Sequence, residues 1–142
     1  MPDMGAMIYE TKTALILRKD LANWQVANIS AFLAGGLAAT HGHLKGEPYR
    51  DGANRGYTAL IREPVFIYGA TLEELQRTQA RALSRELVPA AYTEAMFKTT
   101  NDADNRAAFA AEPADALNLV GLGIHGARKV IDKVTNGLKF LS

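Results

Sequence analysis

The sequence contains no cysteine among its 142 residues, and this absence excludes several kinds of site. Disulfide bonds, a thiol nucleophile, cysteine-ligated zinc and an iron–sulfur cluster all require cysteine. Net charge is also nearly absent, because 16 Lys and Arg residues are balanced by 15 Asp and Glu residues. A protein that holds nucleic acid mainly through phosphate contacts normally carries a clear positive excess. The composition therefore gives no support to a strongly basic nucleic-acid binder.

Long hydrophobic runs are missing as well. No apolar stretch approaches the roughly 20 residues that a membrane-spanning helix needs. The N-terminal segment carries Asp3 and Glu10 instead of a basic stretch followed by an apolar one, so we do not expect a secretory signal. We expect a cytoplasmic protein with no membrane contact, and a single domain over residues 1–142.

Hydrophobic patterning predicts strands that alternate with helices. Continuous apolar runs at 13–17 and 65–68 are typical of strands buried on both faces. Further strands are predicted over 57–61, 90–97 and 116–122. Helices are predicted over 21–37, from 71 to about 87, over 99–111 and over 127–134. Strand–helix alternation of this kind indicates an α/β sandwich with helices on both faces of the sheet.

Local signals define some element ends. Thr71 and Glu74 have the spacing of a capping box, which predicts the start of the second helix. We expect Leu72, Leu75 and Leu83 on the inner face of that helix, and Asp20 as the N-cap of the first helix. The apolar tail 138–141 is expected to pack back on the body.

Two segments of the chain resemble the type 2 peptidyl-tRNA hydrolases. The first is Leu15-Ile16-Leu17-Arg18-Lys19-Asp20-Leu21, which resembles their opening strand. The second comprises Gly121-Leu122-Gly123 and residues 130–139, which resemble their closing strand, final helix and tail. The loop 40–56 and the insertion near 99–111 resemble more closely a bacterial family known as domain of unknown function 2000. Both resemblances imply a three-layer α/β/α sandwich around a small mixed sheet of about four strands, and the hydrolase-like relatives suggest a homodimer.

The residues that carry hydrolase activity in that family are not retained. Its catalytic lysine and histidine correspond to Gln25 and Phe32, which cannot act as bases. Its Asp-Ala-Gly signature corresponds to Glu94-Ala95-Met96, and Thr99 is a candidate for the hydroxyl that follows. The resemblance therefore implies the scaffold more strongly than the activity.

Several polar residues are candidates for a ligand pocket at the ends of the strands. Asp20 and Glu94 form a carboxylate pair suited to acid–base chemistry if both reach one edge of the sheet. His125 follows a predicted strand, and ligands of open α/β sheets bind at such ends. The full predicted ligand set is Lys19, Asp20, Asn23, Glu94, Thr99 and His125.

A Gly-x-Gly-x-x-Gly pattern occurs at Gly121, Gly123 and Gly126. It follows a predicted strand and precedes a helix, so its backbone amides are candidates for binding an anion. The alternative is that the glycines only allow a tight turn between strand and helix. A dinucleotide is not expected, since the chain ends before an acidic ribose partner about 20 residues further on.

The remaining charged clusters have simpler explanations. His41 and His43 offer two imidazoles in a polar loop, but a metal site needs a further ligand, so we predict no metal and no cofactor. Arg77, Arg81 and Arg85 recur every four residues and form a basic stripe. We expect that stripe to be a solvated helix face, with phosphate contact as the alternative.

The leading functional prediction is a small-ligand-binding or regulatory protein on a hydrolase-like scaffold. The expected ligand is a small molecule or an anion. The alternative is a hydrolase that acts on an RNA-linked, peptidyl-tRNA-like substrate or on a small ester, with Glu94 and a threonine in place of the lost pair. Contact with tRNA is possible under that alternative but is not favoured by the near-zero net charge.

Overall fold

A computed structural model describes residues 9–142 of the chain. Its strands are β1 (Thr11–Arg18), β2 (Tyr49–Arg50), β3 (Gly56–Tyr57), β4 (Val65–Ala70), β5 (Ala90–Thr93), β6 (Leu119–Ala127) and β7 (Lys139–Phe140). Its α-helices are α1 (Asn23–Thr40), α2 (Leu72–Ser84), α3 (Asp102–Ala110) and α4 (Arg128–Val134). Two short 3-10 helices span Gly42–Leu44 and Glu94–Lys98.

Five strands form a mixed sheet in the order β5-β6-β1-β4-β7, and β2 and β3 form a separate hairpin. The central strand β1 is parallel to β4 and antiparallel to β6, so that Leu15 pairs with Ile67 on one side and Gly123 on the other. The apolar run at 14–17 is buried on both faces, as its continuous pattern predicts. The fifth strand comes from the apolar tail, which packs back on the body as β7, one strand more than the four expected.

Helices cover both faces of the sheet. Helix α1 packs Ile29, Leu33 and Leu37 on the face that carries Leu15 and Leu17. Helices α2 and α4 pack on the opposite face, which carries alternate residues of β1 and β6. This division follows from the two-residue period of a strand, which sends successive side chains to opposite faces.

The glycine pattern at 121–126 lies inside β6 and does not form a loop before a helix. Gly121 pairs with Leu17 of β1 and Tyr92 of β5, so the backbone there belongs to the sheet. A Cβ at Gly121 would lie 2.8 Å from Ile29 Cγ2, which shows that the glycine lets α1 approach the sheet closely. The predicted position of Gly121, Gly123 and Gly126 in a turn before a helix is therefore wrong, and the anion site predicted there loses that support.

The starts of the first two helices differ from each other in how they are capped. Helix α2 begins with the predicted capping box, in which Thr71 Oγ1 accepts from the Glu74 amide at 3.2 Å. Helix α1 begins after Ala22, which supplies no side-chain cap. Asp20 accepts from Arg18 Nε at 2.7 Å instead, so the predicted Asp20 cap is wrong.

Several predicted boundaries shift. Leu83 is 54% exposed and does not lie on the inner face of α2, where Thr78 and Ala82 are buried. The strand predicted over 90–97 ends at Thr93, because a 3-10 helix follows. The strand predicted over 57–61 is reduced to the short β3 and a single bridge at Ile61.

Candidate functional site

A cleft opens where α1, β5 and α3 meet, and we call it the α1/α3 cleft. Its volume is about 500 Å³. Its floor and walls are mainly apolar, formed by Phe32, Leu33, Ala91, Tyr92, Met96 and Phe109. A smaller hollow of about 270 Å³ adjoins it and shares Phe32, Tyr92 and Met96 with it. The two together offer a concave, largely apolar surface of the kind that holds small ligands.

Polar side chains line the rim of the α1/α3 cleft and the smaller hollow beside it. Asn105 of α3 borders both, whereas Asn28 of α1 and Thr99, which follows the second 3-10 helix, border the smaller hollow. Thr99 Oγ1 donates to Asn105 Oδ1, which ties the segment before α3 to that helix. The two charged rim residues, Arg106 and Asp102, pair with each other. The rim groups that can still form hydrogen bonds with a ligand are therefore neutral: amides and a hydroxyl.

Aromatic contacts explain why the cleft wall holds its shape. The Phe32 and Tyr92 rings have centroids 5.7 Å apart, and Phe97 lies 5.3 Å from Tyr92 and 5.7 Å from Trp24. Such tilted and edge-on arrangements are favoured between aromatic rings. Burial raises the pKa of the Tyr92 phenol, and a hydrogen bond with Asn28 opposes that shift. The Tyr92 side chain in the cleft wall is therefore a neutral phenol.

The segment that closes the cleft is ordered by a helix cap. Asn101 Oδ1 accepts from the Asp104 amide at 2.8 Å, which starts α3. Asp102 and Asp104 place negative charge in the first turn, where the helix dipole favours it. Asn105 and Phe109 of α3 line the cleft opposite Phe32 and Leu33 of α1.

Asp20 and Glu94 meet at one edge of the sheet, but through an arginine. Arg18 Nη2 donates to Glu94 Oε1 at 2.8 Å, and Arg18 Nε donates to Asp20. Asn118 Nδ2 donates to the other Glu94 oxygen at 3.0 Å. These bonds, chiefly that from Arg18, lower the pKa of Glu94. The pair is a structural ion-pair network, and Glu94 is poorly suited to donate a proton near neutral pH.

The other predicted ligand residues lie in separate places. Lys19 borders a shallow groove beside the start of α2, and Asn23 is exposed at the start of α1. Thr99 lines the smaller hollow beside the α1/α3 cleft. His125 pairs with Thr13 near the opposite end of β1, five residues or about 17 Å along the strand from Arg18. The separation arises because β6 is antiparallel to β1, so its end lies beside the start of β1.

The arginine stripe on α2 makes contacts within the molecule. Arg81 Nη1 donates to the Asn136 carbonyl at 2.9 Å and links α2 to the turn after α4. Arg85 donates to the Arg81 carbonyl. Arg77 lies 3.9 Å from Glu74, not from Glu73 as its spacing allowed.

Sequence reasoning missed most of the cleft. The sequence pattern puts Phe32 on the apolar side of the first helix, where the resemblance has a histidine, and Tyr92 in a strand, and it marks neither as a cleft residue. The signal that was available is the cluster of aromatic residues at 92 and 97 followed by the polar segment 99–111. That segment was identified as an insertion, but nothing in its pattern indicates that it packs opposite α1.

The fold and the cleft define a small α/β protein with a five-stranded mixed sheet and a ligand-sized hollow beside its longest helix. The chain belongs to the family described as Protein of unknown function (DUF2000), whose model matches residues 11–142. It is similar to the solved structure of Atu0240, a protein of unknown function from Agrobacterium tumefaciens strain C58. The identity is 40% and the TM-score 0.92, over 95% of this chain and 100% of that one. No curated protein matches the chain.

Two further findings concern the described residues 9–142 alone. No helix in this range is long and apolar enough to cross a membrane. No group of three or more His, Asp or Glu side chains in it is arranged to hold a metal ion.

Proposed function

We propose that the protein binds a small molecule with an apolar body and an uncharged polar end in the α1/α3 cleft. The observation that carries the proposal is an apolar hollow of about 500 Å³ that adjoins a smaller one bordered by neutral polar side chains. Small-molecule sites in proteins are mostly apolar concavities of roughly 300–1,000 Å³ with a few placed polar groups. The cleft has both properties.

The rim favours a ligand whose polar end is neutral. Arg106 and Asp102 neutralise each other, so neither offers an unbalanced charge to a ligand. Asn28, Thr99 and Asn105 supply hydrogen-bond donors and acceptors without charge. The Phe32 and Tyr92 rings offer flat apolar contact, which suits a ring or a short acyl chain.

The hydrolase alternative, together with a peptidyl-tRNA hydrolase-like fold, ranks second. Phe32 stands where that family has its histidine, is 55% exposed and makes the cleft wall apolar. Glu94, the residue at the aspartate position, is held by Arg18 and Asn118. A hydrolase of RNA-linked substrates needs a polar, positively charged site, and the cleft offers an apolar one.

A neutral fluorescent probe tests the binding proposal. N-phenyl-1-naphthylamine gains fluorescence in apolar sites, and we expect saturable binding of one probe per chain. Asn105→Trp fills the cleft and should weaken binding about tenfold or more, which is 1.4 kcal/mol or more. Ala107→Trp is the matched control, because Ala107 lies two residues further along α3, is exposed and does not line the cleft. Equal affinities for the two variants would contradict the proposal.

A hydrolysis assay separates the two functions. An N-acetylated aminoacyl-tRNA should remain intact with the purified protein over the time in which a hydrolase turns it over many times. Robust cleavage that disappears in Glu94→Gln would replace the binding proposal with the hydrolase alternative. Circular dichroism of the variant checks that loss of cleavage does not reflect unfolding.

A further inference from the structure

All three histidines of the chain meet at the end of the sheet remote from Arg18. His41 and His43 come from the turn after α1, and His125 comes from β6. The His125 ring centroid lies 4.7 Å from that of His41 and 4.8 Å from that of His43. His43 Nε2 and His125 Nε2 are 2.9 Å apart, which is hydrogen-bond distance.

A buried carboxylate lies behind this cluster. His125 Nδ1 is 2.8 Å from Thr13 Oγ1, and Thr13 Oγ1 is 3.1 Å from Glu63 Oε1. Thr11 Oγ1 donates to the other carboxylate oxygen at 2.9 Å. His125 is 7% exposed and Glu63 is 4% exposed. A chain of hydrogen bonds thus runs from the surface at His43 to a carboxylate in the interior.

The single proton of the Thr13 hydroxyl sets the direction of this chain. Thr13 donates to the Glu63 carboxylate, which only accepts, so its oxygen accepts from His125 Nδ1–H. In neutral His125 the Nε2 atom then carries the lone pair. His43 therefore donates from its Nε2–H, and its Nδ1 atom is left as the base.

Burial favours a neutral His125. Its pKa is lowered by burial, with Glu63 acting in the opposite direction and His41, His43 and Arg62 adding to the lowering. Arg62 Nε donates to the His43 carbonyl at 2.7 Å, and Arg62 Nη2 lies 3.5 Å from Glu63 Oε2.

We propose that His43 and the hydrogen-bond chain behind it form an acid–base catalytic site, in which His43 Nδ1 takes a proton from water and passes it to the leaving oxygen of a small activated carboxylic ester. His125, Thr13 and Glu63 are positioning residues, which hold the His43 ring and fix its tautomer. An imidazole whose far nitrogen is oriented through hydrogen bonds ending at a buried carboxylate is suited to activate water for acyl hydrolysis. His43 is exposed, so a small ester and water can reach its ring.

The proposed ester hydrolysis needs only water and His43, and no cofactor. His43 Nδ1 takes a proton from a water molecule whose oxygen attacks the ester carbonyl carbon. The tetrahedral intermediate collapses, the bond from the carbonyl carbon to the ester oxygen breaks, and the leaving oxygen takes the proton from His43. The products are a carboxylic acid and an alcohol, and neutral His43 is restored. The Arg62 guanidinium, whose side chain is 38% exposed, is the adjacent cation for the developing oxyanion.

The first experiment measures hydrolysis of 4-nitrophenyl acetate across pH 5–9. We expect the wild-type rate to exceed that of His43→Gln by about tenfold, a modest value for general base catalysis at an open site. The rate should rise with pH, because a general base acts only in its unprotonated form. His41→Gln is the matched control and should keep most of the rate, since His41 makes no side-chain hydrogen bond within residues 9–142.

The relay is tested with paired threonine variants. Thr13→Val keeps the side-chain shape but removes the hydroxyl, and it should lower the rate and shift the midpoint of the pH profile. Thr13→Ser restores the hydroxyl and should restore both the rate and the midpoint of the pH profile. A purely structural role for Thr13 would leave the midpoint unchanged in the folded variants, and that result would overturn the relay.

An NMR measurement made without substrate tests the proposed histidine tautomers independently. Long-range ¹H–¹⁵N NMR of the histidine rings should show His125 as the Nδ1–H tautomer near neutral pH. The Nε2–H tautomer, a hydrolysis rate unchanged in His43→Gln, or stoichiometric zinc uptake in native mass spectrometry would each overturn the proposal. Asn105→Trp should leave this hydrolysis unchanged, so failure of the cleft proposal is distinguishable from failure of this one.

Discussion

Gly121 lies on β6 beneath α1, in a position where a side chain has no room. A Cβ there would stand 2.8 Å from Ile29 Cγ2 and 3.0 Å from Leu33 Cδ1. Gly35, within α1, has no atom within 4 Å of the equivalent position. The same residue type thus allows close packing at one site and only weakens a helix at the other.

These two glycines give opposite predictions for the same substitution. Gly121→Ala should destabilise the protein by about 1–3 kcal/mol, because the added methyl overpacks the contact between α1 and the sheet. Gly35→Ala should stabilise it by about 0.5–1 kcal/mol, through helix propensity. Urea denaturation of both variants checks the prediction. A Gly121→Ala variant as stable as the wild type would show that α1 moves away from β6 without cost.

Helix α1 illustrates the limits of local signals at the scale of elements. Its apolar periodicity predicts the helix, but its start carries no capping side chain, and Gly35-Gly36 does not end it. Packing of Ile29, Leu33 and Leu37 against the sheet maintains the helix in place of local signals. Helix α2, by contrast, begins where its capping box predicts.

A missing cap can be supplied. Gln25 Oε1 already accepts from the Ala22 amide at 2.9 Å, which is half of a capping box. Ala22→Ser should complete it and raise the free energy of unfolding by about 0.5–1 kcal/mol. Thr71→Ala removes the cap of α2 and should lower the free energy of unfolding by about 1 kcal/mol. Thermal and chemical denaturation give both values, and an Ala22→Ser variant no more stable than the wild type would contradict the prediction.

At the scale of the whole molecule, sheet topology decides which polar residues meet. Thr13, His43, Glu63 and His125 are far apart in sequence. His125 meets Thr13 because β6 is antiparallel to β1, and Glu63 lies just before β4, whose parallel pairing puts Val65 beside Thr13. The antiparallel pairing separates His125 from Arg18 and Glu94. The predicted ligand residues therefore lie in separate places, although Asp20 and Glu94 share an edge.

The buried His125 makes stability depend on pH. Its pKa is lowered in the folded protein, so below the ordinary histidine pKa of about 6.5 the unfolded chain binds the proton first. Its contribution to stability is therefore complete above pH 6.5 and is lost as the pH falls toward the folded pKa. We expect the free energy of unfolding to fall between pH 7 and 5 by at most about 1.4 kcal/mol per pH unit from this group.

Comparison with a variant isolates the effect. In His125→Gln the dependence on pH over this interval should be shallower than in the wild type. Urea denaturation at several pH values measures it for both proteins. If the free energy of unfolding of His125→Gln depends on pH as steeply as that of the wild type, other groups cause the dependence.

The sequence alone determined the buried central strands, the α2 capping box, the strand–helix alternation and the packed tail. These depend on apolar periodicity and local hydrogen bonds, which act between residues close in the chain. Only the tertiary structure decided that the glycines of β6 belong to the sheet, that α3 closes a cleft against α1, and that three histidines meet above Glu63. These arrangements depend on strand direction and helix placement, which are set by burial of the whole apolar surface and leave no short-range pattern.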